Sequence, residues 1–160
     1  MDRPELDFEV HEGGSLRMLA AIAERCNAVE ECYEFMLAYA AQGLPTDHGS
    51  ETGRRIREFL GRAVDAVTAL IEACTIAAER EEVEPAAAPH QPFMAVLDRD
   101  ARHSLAALQL VLAQPSISSQ LIDNLNASIH LRALLTDLFL LGEIAGARRT
   151  PSMPVVATSG

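Results

Sequence analysis

The chain reads as all-α, a four-helix bundle built from up-down antiparallel hairpins, and three observations carry that expectation. Apolar residues recur at three- and four-residue spacing through most of the chain, the period of one helix face. Aromatics make up only 4% of the residues, so alanine and leucine, both strong helix formers, carry the apolar fraction. Glycine and proline fall mostly between the periodic segments, where they punctuate helices.

The first helix is expected to start at Ser15, an N-cap residue type, after a flexible N-terminal tail over residues 1–14. Its stripe is Leu19, Ile22, Cys26, Val29, Tyr33 and Met36 with Leu37. Gln42-Gly43 should end it, because Gly43 suits a left-handed cap and Pro45 forbids continuation. The loop GLPTDHGS over 43–50 offers Asp47 or Ser50 as the next cap. A second long helix, about 51–82, then carries Ile56, Phe59, Leu60, Ala63, Val67, Leu70, Ile71, Cys74 and Ala78. A short loop between two long helices implies an antiparallel hairpin.

Pro85, Pro89 and Pro92 mark a linker, with Pro92 in the first turn of the third helix. That helix carries Phe93, Met94, Leu97, Ala101, Leu105, Leu108, Val111 and Leu112 and ends at Gln114-Pro115. Ser116 or Ser118 should cap a fourth helix running unbroken to Gly146. Leu121, Ile122, Leu125 and Ile129 form one face of it. From Leu131 onward its apolar residues spread around the cylinder, which demands neighbours on most sides. The helical domain is thus expected over 15–146, with a second flexible tail over 147–160.

That crowding leads to the expected interface. Leu134, Leu138 and Leu141 are read as a surface shared with a second subunit or a partner protein, making the chain a homodimer. Arg54 and Arg57, with Arg55 and Arg62, cluster at the positive end of the second helix dipole, where cations are disfavoured. Arg54 and Arg57 share a face and are read as contacts to an acidic partner.

The formal net charge of −10 works against general attraction to nucleic acid or anionic membrane, so neither is an expected partner. The acidic N-terminus does not fit a signal peptide, and the apolar run near Leu138 is interrupted by Asp137 and Glu143. The expected location is cytoplasmic. Cys26, Cys32 and Cys74 match neither a disulfide framework nor a zinc pattern and read as core filler.

Catalytic signatures are weak. None of His11, His48, His90, His103 and His130 follows a Glu at the spacing a di-iron bundle needs. The nearest approach is the Asp100-x-x-His103 step, with His130 and Asp137 sharing a face seven residues apart. His130 opposite Met36 or Met94 is a haem-like possibility on the same grounds. Neither a phosphate loop nor a dinucleotide fingerprint occurs. The expected function is therefore non-enzymatic: binding of a partner protein as an adaptor, chaperone or accessory subunit, without a cofactor. The alternative is a metal- or small-ligand-binding bundle, an enzyme included.

Overall fold

The computed structural model describes residues 5–83 and 91–149, with side-chain surroundings described for 21, 22, 24–79 and 92–146. Every described element is helical: α1 (Glu5–Ala41), α2 (Glu51–Val83), α3 (Gln91–Leu112), α4 (Ser119–Asn126) and α5 (Ile129–Arg149). α1 packs against α2, α4 and α5. α3 packs against α2, α4 and α5.

Side-chain pairs fix the directions. Phe35 stacks on Phe59 at 4.5 Å between centroids, Arg62 Nη2 reaches Glu31 at 2.8 Å, and Arg25 Nη1 donates to the Ala69 carbonyl at 3.0 Å. Residue numbers fall along α1 as they rise along α2, so the two helices are antiparallel. The turn between them follows from its residues. Gly43 takes φ +64°, and Ser50 Oγ accepts from Gly53 N at 3.0 Å, satisfying an otherwise free donor of the first turn. A Cβ at Gly53 would sit 1.8 Å from the Asp47 carbonyl oxygen, so only glycine fits there.

The core runs the length of these helices. Ile22, Cys26, Val29, Cys32, Met36 and Tyr39 from α1 meet Ile56, Leu60, Ala63, Val67, Leu70 and Cys74 from α2. Leu97, Ala101 and Leu108 come from α3, Ile122 and Leu125 from α4. Leu37 instead lies exposed on α1.

Three expected boundaries move. α1 begins at Glu5 rather than Ser15 and runs through Gly13-Gly14, so its helix covers most of the stretch expected as a tail. α5 passes through Gly146 to Arg149. The expected fourth helix is two helices. Ser118 caps α4, its Oγ accepting from Leu121 N, but the helix stops at Asn126. Ala127 N donates to the Asp123 carbonyl at 3.1 Å and Ser128 N to the Leu125 carbonyl at 3.0 Å, and Ser128 O becomes the first acceptor of α5, taking Arg132 N at 3.1 Å. Asn and Ser are weaker helix formers than the leucines and alanines around them. The break turns Ile129 away from the Leu125 face and into solvent. Residues 1–4, linker residues 84–90, residues 150–160 and the side chain of Leu19 lie outside the described residues.

Candidate functional site

α5 has two faces of different chemistry. Leu134, Leu138 and Leu141, expected at a subunit interface, are 0%, 1% and 3% exposed within the single chain. With Leu131 and Leu135 they join the core cluster, and they are closed off because α1 and α3 both pack on α5. They are corrected from interface to core. The outer face carries what is left: Ile129 at 75%, Phe139 at 54%, Leu140 at 51% and Ile144 at 43% exposure. Ile129, Ala133, Thr136, Leu140 and Ile144 follow one another at steps of four, three, four and four. That is the spacing of a helix-pairing seam. Arg132, Thr136 and Glu143 are also exposed. The sequence held this signal, but it was masked by leucines on every side of α5.

A polar seam underlies this helix. Asp137 is buried at 7% exposure and faces Asp100 of α3 within hydrogen-bonding reach. Burial first, then the hydrogen bond and charge of Asp100, push the Asp137 carboxyl up to about 6, with Arg99 opposing. Its Oδ2 has no partner among the described residues. Near the start of α5, the His103 and His130 rings meet edge to face at 4.9 Å, and buried Ser104 donates from Oγ to the His130 carbonyl at 2.9 Å. The structure thus joins the Asp100–His103 step to His130 and Asp137. It does so as two separate pairs. Among the described residues, no group of three or more His, Cys, Asp or Glu is placed to hold a metal ion.

The second cluster clamps two loops together. Asp47, expected as a cap of α2, instead reaches across: Oδ1 accepts from Ile117 N at 2.7 Å and Oδ2 accepts from Arg57 Nε. Arg57 then donates from Nη1 to the Leu112 carbonyl at 3.2 Å and from Nη2 to the Gln114 carbonyl at 3.0 Å. These carbonyls lie at the C-terminal end of α3, where a cation is favoured. Arg57 is therefore engaged within the chain as a clamp, with its side chain about a third exposed. Arg54 stays on the surface beside Glu51 and Glu58. Arg55 lies over Phe35 and Phe59 at 5.0 and 5.7 Å.

Buried Tyr39 completes the clamp by donating its hydroxyl to the Ile117 carbonyl at 2.7 Å. Ser119 Oγ accepts from Leu44 N and donates to the Tyr39 carbonyl. Burial, and then the Asp47 charge, raise the Tyr39 phenol above its ordinary value, with Arg57 opposing. For Asp47, burial acts to raise the carboxyl, but the Arg57 bond and the Ile117 and Asp47 N–H groups outweigh it and hold the group below its ordinary value. An open groove of about 530 Å³ lies beside the clamp, between Leu37, Leu44 and Pro45 on one side and Ser118, Gln120 and Asp123 on the other.

The cysteines are not poised for chemistry. Burial dominates at all three, pushing Cys26 and Cys32 up to about 12 and Cys74 to about 11. A thiol so raised supplies little thiolate at neutral pH. Comparison with protein-family models, with curated proteins and with solved structures finds no match.

Proposed function

We propose that this chain is a non-enzymatic, cytoplasmic protein-docking module that works through the outer face of α5, as an adaptor, chaperone or accessory subunit. The observation that carries the reading is α5 itself, sealed into the core on one side and apolar in solvent on the other. Four large exposed side chains on one short helix are the composition of a helix-pairing surface. The Ser104 hydroxyl, donating to the His130 carbonyl, ties that helix to α3, and the Asp47–Arg57 clamp fixes the loop from which α4 and α5 descend.

In this reading the arrangement is a bundle of four positions, with α4 and α5 filling the fourth in succession. Arg54 belongs to its outer surface. The expected homodimer is one way of occupying the α5 face.

The test replaces Ile129 and Leu140 together with Asp, leaving every core residue in place. The doubly substituted protein is expected to keep its helical circular dichroism and to lose the associations that the intact protein makes. Associations identical to those of the intact protein would remove α5 from the reading.

The runner-up, a small-ligand-binding bundle, draws on the groove at Leu37 and Leu44, whose volume lies within the range of ligand sites. Freshly purified protein that carries a visible absorbance band, or a bound metal by elemental analysis, would favour it.

A further inference from the structure

We propose that the occupant of the α5 face is α5 of a second copy of this chain, packed antiparallel about a two-fold axis. The proposal rests on the docking reading above and names its partner. Its basis is the symmetry of the stripe from Ile129 to Ile144. Ile129 and Ile144 lie equally far, in opposite directions, from the midpoint between Thr136 and Asp137. Ala133 and Leu140 do the same. In an antiparallel pair each Ile129 meets Ile144 of the second copy, and each small Ala133 meets a large Leu140. Two-fold interfaces must be self-complementary in this way.

The charges obey the same symmetry. Arg132 and Glu143 are both exposed. They stand eleven residues apart, about 20° in helical projection, so they flank the apolar stripe on the same side. Antiparallel packing brings that flank against itself, placing Arg132 of one copy near Glu143 of the other, twice. A parallel pair would set this flank against the opposite flank of the second copy, so Arg132 would not meet Glu143 and the complementarity would be lost.

The experiment uses full-length chains carrying Arg132→Glu or Glu143→Arg, both at exposed positions. In the first variant both cross-pairs become acid against acid. In the second both become base against base. Each alone is expected to weaken self-association by about tenfold at low salt, and an equimolar mixture to restore it, since every cross-pair is then opposite in sign. Helical circular dichroism checks that both variants are folded.

Sedimentation of the mixture showing the dimer recovered supports the proposal. An intact protein that stays monomeric at about 100 μM overturns it, as does a dimer that the mixture fails to restore. The docking reading fails separately, when the Ile129 and Leu140 double variant keeps every association of the intact protein.

Discussion

Asp137 of α5 presses its buried carboxyl against Asp100 of α3, and the contact is a hydrogen bond only when a proton lies between them. Two carboxylates have acceptors and no donor. The pair therefore ties the α3–α5 seam to pH. The stabilisation from protonated Asp137 is fully present below its unfolded value near 3.8 and is lost as pH rises through about 6. At neutral pH the seam carries a buried, repelled charge.

Asp137→Asn should relieve that penalty. The amide donates to Asp100 without needing a proton. The variant is expected to be more stable than the parent at pH 7.5, by on the order of 2 kcal/mol. At pH 4 the difference should shrink toward zero. Urea unfolding at both pH values measures it, and a gain of equal size at both would show that the proton has no part.

The loop clamp behaves in the opposite sense. Asp47 sits below its ordinary value, so its contribution is present above its unfolded pKa and is lost as pH falls through the lower folded one. Arg57→Ala leaves this carboxylate buried with one partner fewer and also frees the Leu112 and Gln114 carbonyls. The expected cost is about 2–3 kcal/mol, between an exposed ion pair and a fully buried one. Denaturation at neutral pH reads it. A change under about 0.5 kcal/mol would return Arg57 to the free surface.

Gly53→Ala tests the same corner through its backbone. The added methyl meets the Asp47 carbonyl, which cannot yield as a flexible side chain would. A loss of about 1–3 kcal/mol is expected, as for overpacking elsewhere. Gly61, with open space at its Cβ position, is the control. Gly61→Ala should be neutral or stabilising by up to about 1 kcal/mol, since it lies within a helix.

Local signals were legible in the sequence where the chemistry is local. Gly43 and Ser50 end α1 and start α2 as their residue types require. Ser118 caps α4, and the Ile22, Cys26, Val29 and Met36 stripe is core. What stayed hidden depends on contacts distant in sequence. Arg57 reads as an exposed cation until the Leu112 and Gln114 carbonyls are brought to it. The Asp100–Asp137 pair needs the register of α3 on α5. The break at Ala127 has only weak residue preferences behind it, yet it decides which side of α5 is inner. Taking Leu125 and Ile129 as one face rotated the whole helix and placed the interface on Leu134, Leu138 and Leu141.

Two leucines of α5 separate its faces. Leu134→Glu forces a charge into a fully buried position and is expected to cost at least about 3–5 kcal/mol, much of a domain's stability. Leu140→Glu replaces a half-exposed side chain and should alter monomer stability by no more than about 0.5 kcal/mol. Thermal unfolding of the two variants compares them. The reverse order would turn α5 around.

The most direct measurement is the solution mass of Leu140→Glu beside that of the intact chain, by sedimentation equilibrium at matched concentration. The account predicts twice the 17.3 kDa chain mass for the intact protein and a folded monomer for the variant. An intact protein that is monomeric, or a variant that keeps the dimer mass, would contradict it.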